Sequence, residues 1–149
     1  MIVCDEYLAF AALTDNLPQE IGQDQIAATP TAFGRLLRRL HIPSHPDQSP
    51  SGQISQLMRH MSPDDKAALL HPDPQIVVIL DNRPYLNSTA RLSVEHGLSW
   101  MAAEMAAAAI HHRAILFYGQ ARNVPPKMHT LLTSEDLLGI RVSNVWTMI

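Results

Sequence analysis

Short apolar runs alternate along this chain with longer segments in which apolar residues recur at helical spacing. Residues 1–4, 75–80 and 114–118 are almost wholly apolar, a pattern typical of strands that are buried on both faces of a sheet. A further strand is predicted over residues 140–146. Because helical segments separate these runs, the pattern predicts an α/β fold with three layers, α/β/α, around a mainly parallel central sheet.

Capping residues mark where the helices between these strands begin and end. Thr29-Pro30 and Ser62-Pro63 each place a capping hydroxyl before a proline in the first turn, and Gly97 is typical of a left-handed helix end. The predicted helices are 7–13, 30–40 with an apolar stripe of Phe33, Leu36, Leu37 and Leu40, a short one after Ser51, one from Pro63, 86–96, 98–112 and 125–138; the predicted loops are 16–22, 41–51 and 119–124. No repeat or linker interrupts this order, so one domain is predicted over residues 1–149.

Composition and charge narrow the class of protein. The 149 residues are 46% hydrophobic with a net charge of −3, which excludes a protein held on nucleic acid mainly by a broad basic surface. A nuclease remains open, because a carboxylate cluster that binds metal lowers the net charge by itself. The single cysteine, Cys4, excludes a disulfide framework and favours a reducing cytoplasm. We predict neither a signal peptide nor a membrane span, since the first ten residues lack a cationic start and no apolar run approaches about 20 residues.

Two aspartates follow predicted strands, where parallel α/β sheets place their sites. Asp5 ends the first strand and Asp81 follows the run over residues 75–80. Carboxylates gathered at this edge would share a hard cation such as Mg²⁺ or Mn²⁺. The alternative is that each aspartate caps a helix or a turn, which is the commoner role of a single aspartate after a strand. For Asp5, the acid that follows at once, Glu6, favours a site.

A third acid, Glu104, lies within the alanine-rich helix. Its neighbours on the same helix face are Trp100, Met101, Ala107 and Ala108. A carboxylate buried on such an apolar face should be paired, protonated or bound to metal. The alternative is that the helix is partly exposed and Glu104 marks its solvated side.

The remaining sequence motifs give weaker indications of a functional site. The chain has no phosphate-binding loop, no dinucleotide-binding glycine motif and no His-Glu-x-x-His zinc motif. Six arginines are candidates for a groove that binds a phosphodiester backbone, although a solvated helix face explains each of them individually. They are Arg35, Arg38, Arg39, Arg59, Arg83 and Arg91.

The chain resembles PIN domains of the actinobacterial type in three features. The first is the apolar strand that runs into Asp5, and the second is the alanine-rich helix around Glu104. The third is a strand–loop–helix–strand at residues 115–142. The resemblance covers most of the chain, and the segment over residues 29–70 is similar to inserted helices of such proteins.

This resemblance implies a metal-dependent ribonuclease and the toxin of a toxin–antitoxin pair. It implies that Asp5 and Glu104 hold Mg²⁺ or Mn²⁺, which activates a water for attack on an RNA phosphodiester. Asn123 is the third predicted catalytic residue, either as a neutral metal ligand or as the relic of an aspartate. The chain departs from the family at Glu6, where serine or threonine is usual. It also lacks the family's aspartates after the C-terminal strand, over residues 119–123, and its acid in the helix over residues 29–40.

The sequence is therefore consistent with two functions. One is a PIN-type ribonuclease with a weakened acidic site, whose partners are an RNA substrate and an antitoxin. The other is a catalytically inactive PIN-derived module that binds a protein or RNA partner. Convergence of Glu6 or Asp81 on Asp5 and Glu104 would favour cleavage. A third hypothesis is an unrelated small α/β enzyme that uses Asp5 and Asp81. Separately, the Met- and Leu-rich helices favour a homodimer.

Overall fold

The computed structural model describes residues 1–41 and 50–146 and has a five-stranded, all-parallel sheet at its centre. The strands are β1 (Ile2–Cys4), β2 (Ile26–Ala28), β3 (Val77–Ile79), β4 (Ile115–Tyr118) and β5 (Ile140–Val142), in the order β3-β2-β1-β4-β5. β1 is central, with Ile2 opposite both Ile26 and Ile115. The predicted α/β class with a parallel sheet is therefore confirmed.

Helices cover both faces of this sheet. They are α1 (Glu6–Leu13), α2 (Pro30–His41), α3 (Pro50–Arg59), α4 (Pro63–Leu70), α5 (Leu86–His96), α6 (Trp100–His112) and α7 (Leu131–Ser134). Alternate residues of each strand face opposite layers, as the pleat requires. Val3 and Leu116 pack with α5 and α6, whereas Cys4 and Phe117 pack with α1 to α4. These two cores produce the three-layer α/β/α arrangement that the sequence predicts.

The predicted caps form as expected. The Thr29 hydroxyl accepts from the Ala32 N–H at the start of α2, and the Ser62 hydroxyl accepts from the Asp65 N–H at the start of α4. Gly97 ends α5 with φ of 64°. The predicted loop over residues 41–51 falls mostly outside the described residues: α2 includes His41, α3 begins at Pro50, and residues 42–49 lie between them.

The pattern missed β2 because two of its three residues are alanines. Alanine is uncommon in strands, and Ile26 alone provides a β-branched side chain. Its position between β1 and β3 nevertheless buries all three residues completely or nearly so. The two flanking strands and the cores on both faces therefore make this segment a strand despite its weak intrinsic propensity.

The helix predicted over residues 125–138 is wrong. The chain instead forms a 3₁₀ helix over Pro126–Thr130, followed by the single turn of α7. Asp136 then takes a positive φ of 57°, which no α-helix continues through. The last strand was also predicted too long, since β5 ends at Val142 and residues 145–146 form a turn. Among the described residues, no helix has the length and apolar character that a membrane crossing requires.

Candidate functional site

The carboxyl ends of β1 and β4 lie side by side at the centre of the sheet, where the connections diverge to opposite faces. β1 continues into α1 on one face, and the chain that leaves β4 leads to Met128 and Leu131, which pack on the other. Ligands of open α/β sheets bind in the crevice at such a switch point. Asp5 follows β1 and Gly119 follows β4, so Asp5 stands at the place where the sequence predicts a site.

Asp5 is 1% exposed and uses both carboxyl oxygens on backbone groups. Oδ1 accepts from the Leu8 N–H at 2.9 Å and so caps α1, while Oδ2 accepts from the Gly119 N–H at 3.0 Å. Burial raises the pKa of Asp5 to about 7, against the lowering effect of these two hydrogen bonds, and the neighbouring Glu6 adds to the rise. The carboxyl group therefore joins the first turn of α1 to the end of β4.

The crevice above Asp5 is closed by the chain itself. A β-carbon at Gly119 would lie 2.8 Å from Tyr7 Cβ and 3.0 Å from Leu8 N, so α1 touches the end of β4. Residues 143–146 then cover this contact. The Val145 N–H donates to the Gly119 carbonyl at 2.9 Å, and the Trp146 indole N–H donates to the Tyr7 carbonyl at 3.2 Å.

This close approach makes Gly119 sensitive to substitution. We expect Gly119→Ala to lower the free energy of unfolding by about 1–3 kcal/mol, because the new methyl group meets backbone that can move only with α1. Gly34→Ala is the matched control: nothing lies within 4 Å of its β-carbon, and alanine in a helix favours folding by roughly 0.5–1 kcal/mol. Urea unfolding measures both, and equal effects of the two variants would contradict the close contact.

Glu104 is fully buried in α6 and accepts hydrogen bonds from four donors. Oε1 accepts from the Thr31 N–H at 3.0 Å. Oε2 accepts from the Thr31 hydroxyl at 2.8 Å, the Trp100 indole N–H at 3.1 Å and the Asn82 amide at 3.4 Å. Glu104 thus joins α6 to the first turn of α2 and to the segment that follows β3. All four donors are neutral, and the N-terminal end of α2 also favours the negative charge.

The other two acids that the sequence singles out are held by arginines. Glu6 forms ion pairs with Arg39 at 3.1 Å and with Arg35 at 3.4 Å, the second without hydrogen-bonding geometry. Asp81 is exposed and bound by Arg83, whose hydrogen bonds lower the pKa of Asp81 to about 2. Over residues 1–41 and 50–146, no group of three metal-ligating side chains with ligand atoms within 4.8 Å of one another includes Asp5, Glu6, Asp81 or Glu104.

Asn123, predicted as a third catalytic residue, lies in a 3₁₀ helix over Ala121–Asn123 and is half-buried. Its backbone N–H donates to the Gln120 carbonyl at 3.1 Å. The neighbouring Ala121 N–H is bound by the Asn144 side chain, so this loop is tied to residues 143–146.

The described residues hold one group with metal-ligand geometry, and it lies away from these acids. Glu95, His96 and Glu135 place ligand atoms within 4.8 Å of one another. Arg91 already serves as the counter-ion: it forms two bonds of 2.8 Å to Glu135 and one of 2.9 Å to Glu95. The hydrogen bonds from Arg91 to Glu135, with a smaller contribution from His96, lower the pKa of Glu135 to about 2. Sequence spacing could not reveal this group, because α7 brings Glu135 to the end of α5.

Four of the six arginines that the sequence suggests for binding a phosphodiester backbone form ion pairs with carboxylates of the same chain. Arg35 and Arg39 are bound to Glu6, Arg83 to Asp81, and Arg91 to Glu95 and Glu135. A groove for nucleic acid would need such cations to be available to phosphates, whereas here carboxylates of the same chain hold them.

Comparison with known proteins supports the fold and names no activity. No protein-family model matches the sequence, and no curated protein matches it. Among solved structures, the crystal structure of PAE2754 from Pyrobaculum aerophilum is similar, with a TM-score of 0.51 and 13% sequence identity over 93% of this chain and 89% of that one. At this identity the likeness shows a shared fold and nothing about chemistry.

Proposed function

We propose that this protein is a PIN-like module that binds a protein partner and does not cleave RNA. One observation carries the proposal: each acid at or beside the carboxyl edge is already engaged by donors of the same chain. Asp5 is held by two backbone N–H groups, Glu104 by four donors, and Glu6 by two arginines. A catalytic cation needs carboxylate oxygens that face an open, water-filled position.

The closed crevice supports the absence of catalysis independently. Metal-dependent hydrolysis of a phosphodiester requires room for the metal, an attacking water and the RNA backbone beside the acids. Here α1 approaches Gly119 within contact distance, and residues 143–146 lie over the same point. Asp5 and Glu104 therefore act as structural residues: each ties an element of one layer to an element of another.

A protein is favoured over RNA as the partner because of charge. Four arginines form ion pairs with carboxylates of the same chain, and the net charge is −3. Both facts weaken the electrostatic attraction on which RNA binding depends. The proposal includes a cytoplasmic location, in keeping with the buried, unpaired thiol of Cys4. The predicted homodimer stays a prediction for size-exclusion measurements.

A metal-dependent ribonuclease is the second candidate, and one observation favours it. Asp5 and Glu104 are buried, and neither forms an ion pair with a cationic side chain in the described part of the chain. Buried carboxylates without a counter-ion are what a Mg²⁺ or Mn²⁺ site presents before it is filled. For this candidate, the cation would have to displace the Leu8 and Gly119 N–H groups from Asp5.

A metal titration of the melting temperature separates the two candidates. We expect 0–10 mM Mn²⁺ or Mg²⁺ to leave the melting temperature of the wild type, Asp5→Asn and Glu104→Gln unchanged, since a cation that does not bind the folded state cannot stabilise it. Glu95→Gln is the control, because it weakens the separate group at Glu95, His96 and Glu135. A rise in the wild type that persists in Glu95→Gln and disappears in both other variants would establish the ribonuclease site instead.

RNA itself provides the second arm of the same test. We expect a fluorescein-labelled single-stranded RNA to remain intact when it is incubated with the protein and Mn²⁺. We also expect its anisotropy to stay unchanged at physiological salt. Cleavage that is lost in Asp5→Asn would overturn the proposal, and binding without cleavage would overturn only the choice of a protein partner.

A further inference from the structure

A groove with apolar walls lies at the opposite end of α1 from Asp5. It has a volume of about 520 Å³ and runs between the last turn of α1, the α3–α4 pair and the residues before β3. Its walls include Leu13, Leu57, Met61 and Ile76, and Asp65 and Asp73 also line it. Because α1 runs from the carboxyl edge toward the amino edge of the sheet, this groove is separate from the crevice at Asp5.

One wall of the groove is formed by a helix that packs little of its surface on the protein. In α4, only Leu69 is buried, while Ala67, Ala68 and Leu70 are exposed. Ile76, which lines the groove, is 45% exposed. A helix usually buries a continuous apolar stripe, so exposed apolar residues on α4 and beside it mark a surface that a partner would cover.

The charges around the groove indicate the chemistry of that partner. Asp65, Asp73 and His71 line it, and the described residues of the lining include no lysine or arginine. Each aspartate accepts a local backbone N–H or stands in the first turn of α4, and the described residues contain no ion pair with either. These carboxylates contrast with Glu6, Asp81 and Glu135, which arginines of the chain hold. An apolar groove with two such acids complements an apolar segment that carries lysine or arginine.

We propose that this groove binds an amphipathic, basic helix of a partner protein. The apolar side chains of the partner helix insert among Leu13, Leu57 and Ile76, and its lysines or arginines pair with Asp65 and Asp73. A helix is the form of segment that packs most directly between helical walls, with anchors at positions i, i+3, i+4 and i+7. This inference rests on the proposed function, since it states where and how the protein partner docks.

The test uses a designed probe and the full chain. The probe is a fluorescein-labelled 14-residue peptide of leucine and lysine, with leucines at the helical spacing, and its match replaces every lysine by glutamate. We expect the lysine peptide to bind about tenfold or more tightly than the glutamate peptide in an anisotropy titration at 0.15 M salt. Amide shifts of the ¹⁵N-labelled protein should change at Leu57, Met61, Ala68 and Ile76 and not at Gly119.

Matched variants separate docking in the groove from general attraction of a cationic peptide. Asp65→Lys should weaken the lysine peptide about tenfold, whereas Asp64→Lys, in the same first turn but outside the lining, should change affinity less than about twofold. Ile76→Ser should weaken binding, and Val94→Ser, an exposed valine on α5, should not.

Any one of three results would overturn the proposal that the groove binds a basic helix. They are no binding at 0.5 mM peptide, equal affinity of the lysine and glutamate peptides, and equal effects of Asp65→Lys and Asp64→Lys. None of them would bear on catalysis. The proposed lack of ribonuclease activity fails only through metal stabilisation at Asp5 and Glu104 or through cleavage of RNA.

Discussion

Glu104→Gln should lower the free energy of unfolding by about 2–4 kcal/mol at pH 7. The substitution keeps the volume of the side chain and replaces one acceptor oxygen by an amide that only donates. Four donors meet this carboxylate, and the Thr31 N–H and the Trp100 indole N–H cannot turn into acceptors. At least one donor is therefore left without its partner beside a side chain that is fully buried. Urea unfolding followed by circular dichroism measures the loss.

Two further variants identify the origin of that loss. Trp100→Phe removes one of the four donors and keeps the carboxylate, so we expect a smaller effect of about 1 kcal/mol. Glu95→Gln changes an exposed carboxylate on α5 and should alter stability by less than about 0.5 kcal/mol. If Glu104→Gln were as mild as Glu95→Gln, the hydrogen bonds that join α6 to α2 would not form in solution.

The wild type should lose stability as the pH rises from 5 to 8, and Asp5 should be the cause. In the unfolded chain this carboxyl ionises near its ordinary value of 3.8, whereas burial raises its folded pKa to about 7. Between these values the folded state retains a proton that the unfolded state has lost, so raising the pH favours unfolding. The contribution is complete below pH 4 and gone above pH 7, with an upper limit of about 4 kcal/mol.

Asp5→Asn provides the comparison that isolates this effect. The amide does not titrate, so the difference in stability between wild type and variant should shrink between pH 5 and pH 8, in the presence of EDTA. The other ionisable groups are common to both proteins, so their contributions cancel in the difference. A difference that stays constant across this range would show that the carboxyl group of Asp5 is ionised throughout, as a carboxylate poised for a cation would be.

The parts of the fold that the sequence predicts are those that local chemistry decides. Buried apolar runs predict β1, β3 and β4, and a hydroxyl before a proline predicts the starts of α2 and α4. Tertiary packing decides the rest. β2 is a strand because β1 and β3 flank it, and the segment after Pro125 tightens into a 3₁₀ helix before its positive φ at Asp136.

The candidate site divides in the same way. Sequence places Asp5 at a strand end and Glu104 on an apolar helix face, and Trp100 is within reach of Glu104 one turn away. It cannot show that Thr31 and Asn82 also meet Glu104, because both lie on other elements far along the chain. Nor does it show that Gly119 stands against α1, which depends on how β4 aligns with β1.

The central position of β1 has a consequence for how the chain reaches this structure. β1 pairs on one side with β2, which is close in sequence, and on the other with β4, roughly a hundred residues later. Contacts between such distant residues carry a large loop-closure cost and form slowly. Until β4 arrives, the apolar edge of β1 is open to strands of other molecules. Refolding yield should therefore depend on protein concentration, and the β1–β4 pair should form late.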